Sequence, residues 1–129
     1  MVDHIGLAVN YQEDIKDFYQ DVLNFSEDYK FSIDSSITGE IFNIIEPVEV
    51  KVLCRDDTKL ELFLTGRKEH KIFSHICLYC RDADDIYKRS EKGGFRSIVK
   101  KGKDKNTYFI RDKSGNMFEV KEPDEVKKV

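Results

Sequence analysis

The sequence DHIGL at residues 3–7 recurs 71 positions later as SHICL at residues 74–78. Both copies place a His directly before a short apolar run. Each half of the chain also contains a carboxylate between two apolar neighbours, Glu61 in LEL and Glu119 in FEV. An internal duplication that carries a His and a Glu in each copy predicts a fold built from two similar halves.

The composition is typical of one folded domain that spans residues 1–129. Charged residues make up 36% of the chain and hydrophobic residues 40%, and the net charge is −3. The sequence has neither the basic stripe of a nucleic-acid binder nor an apolar run of about 20 residues, as a membrane span needs. Three cysteines, an odd number, argue against a disulfide framework. We therefore expect a reduced, cytoplasmic protein whose partners include neither nucleic acid nor a membrane.

Hydrophobic periodicity divides each half into a strand, a helix and further strands. In module one, residues 1–65, it predicts a helix over 11–24 and strands over 2–9, 29–33, 41–45, 48–55 and 59–64. In module two, residues 71–123, it predicts a helix over 82–92 and strands over 72–80, 96–100, 107–111 and 117–122. The alternation of strands and helices indicates the α+β class.

Strand alternation puts each candidate residue on the face away from the helices, because side chains two apart on a strand share a face. A buried carboxylate without a partner costs several kcal/mol, roughly. Two carboxylates and two imidazoles that bind a cation together remove this cost, because the cation compensates the buried negative charge. The candidate metal ligands are His4, Glu61, His75 and Glu119.

Nitrogen and oxygen ligands of this kind suit one divalent transition metal, with zinc, nickel, cobalt, manganese and iron all open. Residues that share the ligand faces would line a substrate pocket: Phe63, Cys77, Tyr79 and Met117. Plain packing of the inner face is the alternative for these four, because pockets and cores draw on the same residue types.

Each candidate ligand also has an ordinary interpretation when taken alone. A His at the start of a strand is usually structural or exposed, and a Glu on a strand often lies on a solvated sheet face. His70, the third His, has no counterpart in the other half and is given no role. The recurrence of one His and one Glu in both halves favours the metal site.

The sequence resembles the vicinal oxygen chelate superfamily, which includes glyoxalase I and methylmalonyl-CoA epimerase. The resemblance rests on residues 2–9, 18–25, 58–62, 75–76 and 109–119. It implies two paired βαβββ modules that form a curved, cup-like mixed sheet with helices on the outside. It also implies one metal bound by the His-Glu-His-Glu set, which is glyoxalase-like. Extradiol dioxygenases and fosfomycin thiol transferases typically use three ligands, without a counterpart of Glu61.

The resemblance implies a metal-dependent lyase or isomerase, either lactoylglutathione lyase-like or methylmalonyl-CoA epimerase-like. Such an enzyme moves a proton next to a carbonyl of a small substrate through a metal-bound enediolate. Glu119 is the expected base and Glu61 the second candidate. Glutathione-dependent members usually carry an Arg and an Asn where this sequence has Ala8 and Thr65. This difference argues against a glutathione substrate.

Other activities of the same superfamily remain open. Bleomycin-resistance proteins share the fold, bind a small ligand without catalysis and need no metal ligands. A metal-dependent thiol transferase or dioxygenase is a further possibility. The resemblance also implies a homodimer, whose sites form either within one chain or across two.

Overall fold

Two units make up the structure, a computed structural model that describes residues 2–68 and 73–124. The units divide the chain into residues 1–70 and residues 71–129. His70, which the sequence leaves without a role, lies outside the described residues. No helix within the described ranges is long and apolar enough to cross a membrane.

The N-terminal unit contains a four-stranded mixed sheet. Its strands are β1 (Ile5–Val9), β2 (Ser26–Ile33), β3 (Val48–Arg55) and β4 (Thr58–Leu64). They lie in the order β1-β4-β3-β2. β1 and β4 are parallel, and the other neighbours are antiparallel.

The C-terminal unit contains a second mixed sheet with the same topology. Its strands are β5 (His75–Tyr79), β6 (Ser97–Lys100), β7 (Thr107–Arg111) and β8 (Met117–Lys121). The order is β5-β8-β7-β6, with β5 parallel to β8 and the other pairs antiparallel. The equal strand orders confirm the α+β class and the βαβββ-like modules.

A π-helix at Ile15–Gln20 stands where the sequence predicts a helix over 11–24. Its backbone bonds span five residues, as in the 2.9 Å bond from the Asp21 N–H to the Lys16 carbonyl. The regular helix is shorter than predicted because the chain leaves it in turns, and Asn24 adopts a left-handed φ of 60°. The apolar residues at helical spacing in residues 11–24 are all buried: Ile15, Phe18, Tyr19, Val22 and Leu23.

The predicted strand over 41–45 is wrong, because the segment begins inside helix α1 (Ser35–Phe42) and continues outside any strand. The Asp34 carboxylate caps α1 by accepting hydrogen bonds from the N–H groups of Ser36 and Ile37, both at 3.1 Å. Asn43, with a φ of 57°, ends the helix in the left-handed conformation. The apolar run of residues 41–45 imitates a strand, whereas the capping residues at its flanks decide the outcome.

Helix α2 (Ala83–Lys92) lies where the sequence predicts a helix over 82–92. It packs on β7 through Tyr108, whose ring stacks on Tyr87 and whose hydroxyl donates to the Asp84 carboxylate. Strand pairing puts Tyr108 on the same sheet face as Val120, and therefore on the face opposite Glu119. In this unit the helix and the candidate ligand occupy opposite faces, as predicted.

Candidate metal centre

Strand register brings one His to one Glu in each unit. In the N-terminal sheet, Gly6 of β1 lies opposite Glu61 of β4, and His4 precedes Gly6 by two residues. In the C-terminal sheet, Cys77 of β5 lies opposite Glu119 of β8, with His75 two residues earlier. The register is therefore the same in the two halves.

The two His–Glu pairs have matching distances and exposures. Nε2 of His4 is 3.4 Å from Oε1 of Glu61, and Nε2 of His75 is 3.4 Å from Oε1 of Glu119. The His side chains are 41% and 38% exposed, and the Glu side chains are 15% and 20% exposed. Each pair therefore consists of a largely buried carboxylate beneath an accessible imidazole.

The second ring nitrogen of each His contacts an oxygen acceptor. Nδ1 of His4 is 2.8 Å from the Asp3 carboxylate, and Nδ1 of His75 is 2.8 Å from the Phe73 carbonyl. The bond from His4 lowers the pKa of the Asp3 carboxyl, and the Lys59 charge lowers it further. Because an ionised carboxylate and a carbonyl cannot donate, Nδ1 carries the proton in both rings. Metal-binding His residues are oriented by partners of this kind.

The proton on Nδ1 leaves Nε2 of a neutral imidazole with a lone pair that faces a carboxylate oxygen. Two such atoms at 3.4 Å repel each other unless a cation, either a proton or a metal ion, lies between them. Ligand atoms about 2.1 Å from one ion are separated by about 3.0 to 3.4 Å at bond angles between 90° and the tetrahedral value. Both pairs therefore fit two ligand positions of a divalent metal.

Each unit supplies two of the four predicted ligands. Among residues 2–68 and 73–124, no three His, Cys, Asp or Glu side chains are grouped closely enough to hold a metal. The structure therefore brings His4 to Glu61 and His75 to Glu119, as two pairs.

Glu119 is surrounded by groups that carry protons. Its Oε2 is 3.8 Å from Sγ of Cys77 and 3.4 Å from Nζ of Lys121. Partial desolvation of its sulfur raises the pKa of the Cys77 thiol, and the Glu119 charge adds to this rise. The ionisable Cys77 and Tyr79, and then the hydrogen bond to Glu119, raise the pKa of Lys121. The Lys121 ammonium also lies 5.4 Å from the centre of the Tyr79 ring.

Glu61 has an apolar neighbourhood. Phe63 follows it on the same face of β4, and Val52, fully buried, lies opposite Glu61 on β3. The Phe63 ring makes an edge contact with Phe42 of α1 at 5.5 Å between centres. The surroundings of the two carboxylates therefore differ, although their His partners are equivalent.

The four predicted pocket residues lie on the ligand faces of their sheets. Phe63 lines a cavity of the N-terminal unit, whereas Cys77 and Tyr79 are exposed on the Glu119 face. Met117 pairs with His75 in the register of β5 and β8. Strand alternation in the sequence already puts Lys121 on the Glu119 face, although the sequence gives it no role. Helix α1 is not predicted from the sequence.

A buried turn positions the start of β8. The Asp112 carboxylate accepts hydrogen bonds from the backbone N–H and the side-chain amide of Asn116, both at 2.8 Å. Gly115 in the same turn has a φ of 90°, which favours glycine. The Arg111 guanidinium donates to the Gly115 carbonyl at 2.9 Å. These contacts fix the backbone three residues before Glu119.

A sequence model of the Glyoxalase/Bleomycin resistance protein/Dioxygenase superfamily matches residues 1–120. The chain belongs to this superfamily. The superfamily predicted from the sequence is thereby confirmed. No curated protein matches the chain.

Solved structures of the superfamily share the fold of this chain. The fosfomycin resistance protein FosX from Listeria monocytogenes is 15% identical, with a TM-score of 0.71 over 99% of this chain and 94% of that one. A glyoxalase family protein from Bacillus cereus is 15% identical, with a TM-score of 0.73 over 94% and 92%. Listeria FosX complexed with Mn(II) and sulfate is 17% identical, with a TM-score of 0.67 over 96% and 93%. At these identities the likeness is one of fold.

Proposed function

We propose that this superfamily member is a metal-dependent lyase or isomerase that moves a proton next to a carbonyl group of a small substrate. The observation that carries the proposal is the equivalence of the two His–Glu pairs. Each has an Nε2–Oε1 distance of 3.4 Å and an Nδ1 oriented by an oxygen acceptor. Equal geometry in two halves whose other side chains differ is expected where both pairs serve one function.

One divalent ion would be held by His4, Glu61, His75 and Glu119, either within one chain or across a homodimer. When bound, such an ion supplies a Lewis acid that stabilises negative charge on a substrate oxygen. Mn(II) is the first ion to test because a FosX protein of this fold is complexed with it. Zinc, nickel, cobalt and iron are the further candidates by ligand type.

Glu119 is the proposed base and Glu61 the second candidate. Glu119 takes the proton from the carbon beside the carbonyl, and the electron pair of the broken C–H bond moves toward the carbonyl oxygen. In an isomerisation the same proton then returns to a neighbouring carbon. Cys77 and Lys121 lie within 3.8 Å and 3.4 Å of Glu119 and supply it with proton-bearing neighbours.

We propose that the substrate does not carry glutathione. Ala8 and Thr65, which stand where glutathione-dependent relatives carry Arg and Asn, both line the cavity of the N-terminal unit. The methyl group of Ala8, unlike an Arg side chain, has no charge with which to bind a carboxylate of glutathione. The Thr65 hydroxyl accepts a hydrogen bond from the Arg67 N–H at 3.1 Å.

The metal site is tested by titrating the purified, chelator-treated protein with Mn(II) and measuring bound metal by elemental analysis. We expect one ion per site. His75→Ala should weaken binding by more than about 100-fold, since even partners outside the ligand set can account for 10- to 100-fold. Glu49→Gln, an exposed carboxylate on β3, is the matched control and should bind as the wild type does.

The outcome also separates the competing functions. If neither Mn(II) nor the other candidate ions bind, the chain is a ligand-binding module instead, as the bleomycin-resistance alternative holds. If the site is shared across a homodimer, the metal affinity will rise with protein concentration. Mn(II) titrations at several protein concentrations measure that dependence, and sedimentation with and without Mn(II) shows whether the ion stabilises the dimer.

The Asp3 contact gives a smaller prediction. Asp3→Ala should weaken Mn(II) binding by about tenfold, the lower end of the range for such partners, because the Asp3 side chain is 79% exposed. Removing the carboxylate leaves the His4 ring free to rotate and to take up the other tautomer. Unaltered affinity in a titration of Asp3→Ala would show that Asp3 does not orient the ring.

A further inference from the structure

The N-terminal unit contains a cavity of about 330 Å³ between helix α1 and the sheet. Its size is within the usual range of small-ligand pockets, roughly 300 to 1,000 Å³. A cavity of about 150 Å³ already admits a benzene molecule. The space is therefore large enough for an aromatic ring or a branched hydrocarbon chain.

Apolar groups form two opposing walls of this cavity. Phe42 of α1 meets Phe63 of β4 in an edge contact, while Ala8 and Gly6 contribute almost no side-chain volume. A Cβ atom added at Gly6 would lie 3.2 Å from the Phe63 ring, so glycine leaves the ring in place. The small side chains of β1 and the two aromatic rings next to them together create the space.

The wall contributed by α1 is held in place. The Thr38 hydroxyl donates to the Glu46 carbonyl at 2.6 Å, which ties the middle of the helix to the segment before β3. The Arg67 guanidinium pairs with the Glu46 carboxylate at 3.3 Å at the cavity's edge. These two charges compensate each other at the edge, and the apolar walls are left to contact an uncharged group.

The cavity adjoins the His4–Glu61 pair on one sheet face. Gly6 pairs with Glu61 in the register, and Ala8 pairs with Phe63. The floor of the cavity therefore begins at Gly6, which lies opposite the candidate metal ligand Glu61. A molecule in contact with both would span only a few residues of the sheet.

The described part of the C-terminal unit, residues 73–124, has no equivalent helix. Residues 101–106 join β6 to β7 without a helix, whereas residues 34–47 join β2 to β3 and include α1. The two units thus have the same His–Glu pair but differ in the segment that joins the second strand to the third.

We infer that this cavity receives the uncharged hydrocarbon arm of the substrate, with the oxygen-bearing end of the same molecule at the His4–Glu61 pair. The inference rests on the proposed function and narrows it to small substrates whose carbonyl-bearing end carries an uncharged aromatic or branched arm. The helix α1 is the element that selects the arm, and the two pairs select the oxygens.

Two probes that differ only in the arm test the inference: lactate carries a methyl group and mandelate a phenyl ring. The Mn(II)-loaded protein should bind mandelate about tenfold more tightly than lactate, the effect of burying some tens of Å² more apolar surface. Ala8→Leu, which fills the cavity, should reduce this preference to about twofold or less. Phe42→Ala, at a half-exposed position of α1, should also reduce it.

Ile41→Ala is the matched control, because Ile41 lies on α1 but is 65% exposed and does not line the cavity. It should keep the preference for mandelate. Equal binding of the two probes to a protein that takes up Mn(II), or a preference that survives in Ala8→Leu, would overturn the inference.

A metal-independent measurement separates this inference from the proposed function. In chelator-treated protein, phenylacetate should shift the amide resonances of Gly6 and Ala8 and leave that of Ser97 unchanged. If Mn(II) does not bind but these shifts occur, the cavity is confirmed and the metal proposal fails. If the shifts are absent, the cavity does not receive the arm, whatever the metal does.

Discussion

Glu119→Gln should lower the rate of proton abstraction by about 10²- to 10⁴-fold, the usual contribution of a general base. The amide keeps nearly the same shape but cannot take up a proton at neutral pH. It can still accept a hydrogen bond from Lys121, which lies 3.4 Å from the carboxylate. The fold should therefore persist while the proton transfer is lost.

The measurement is deuterium uptake, in D₂O, at the carbon beside the carbonyl of mandelate and related 2-hydroxy acids. This signal reports proton removal itself and does not require the final product to be known. Bound Mn(II) is determined in the same samples, because Glu119 is also a candidate ligand. Deuterium uptake is compared at saturating Mn(II), so that weaker metal binding does not imitate the loss of a base.

Two further carboxylates make the result specific. Glu122→Gln, on an exposed side chain just after β8, should exchange deuterium at the wild-type rate. Glu61→Gln should weaken Mn(II) binding but keep more of the exchange than Glu119→Gln does. If Glu61→Gln gives the greater loss at saturating metal, the base is Glu61. Full exchange in both variants would exclude both carboxylates as the base, and absence of exchange in the wild type would end the proton-transfer proposal.

The pairing of His with Glu could be foreseen because it depends on two simple regularities. Alternation along a strand decides the face of Glu61 and of Glu119, and a duplication repeats the same arrangement. The register between the two strands cannot be predicted from the sequence of either strand. It becomes visible only where the parallel pairing sets Gly6 opposite Glu61 and Cys77 opposite Glu119.

Helix α1 could not be foreseen from hydrophobic pattern alone. The run from Ile41 to Ile45 has the composition of a buried strand, yet Ile41 and Ile45 are 65% and 81% exposed. Local capping outweighs that pattern, since Asp34 satisfies two N–H groups at the start of the helix and Asn43 ends it. The capping residues on either side of this segment, Asp34 and Asn43, favour a helix.

The differences between the two half-sites depend on residues that the duplication does not conserve. Lys121 and Cys77 contact Glu119, whereas Phe63 and Gly6 stand in the corresponding surroundings of Glu61. Repetition therefore predicts the two His–Glu pairs, while departures from repetition give the two carboxylates different surroundings. This is the physical basis for giving the proton transfer to one half and the hydrocarbon arm to the other.

Phe118→Ala should destabilise the protein by about 3 to 5 kcal/mol, the usual cost of removing a buried aromatic ring. Phe118 is fully buried, and strand pairing sets it beside Ile76 and Ile110 in the core of the C-terminal unit. The substitution leaves a space that the neighbouring strands cannot close. Urea unfolding followed by circular dichroism measures the free energy of unfolding of the variant and the wild type.

Phe73→Ala is the matched control, because the Phe73 ring is 85% exposed while its carbonyl still contacts His75. Its free energy of unfolding should change by no more than about 0.5 kcal/mol. Phe118 and Glu119 are adjacent, and alternation assigns the first to the core and the second to the site. Phe118→Ala should therefore lower the free energy of unfolding. Glu119→Gln should lower the rate of proton abstraction while the protein stays folded. The reverse pattern would mean that β8 presents its opposite face to the core.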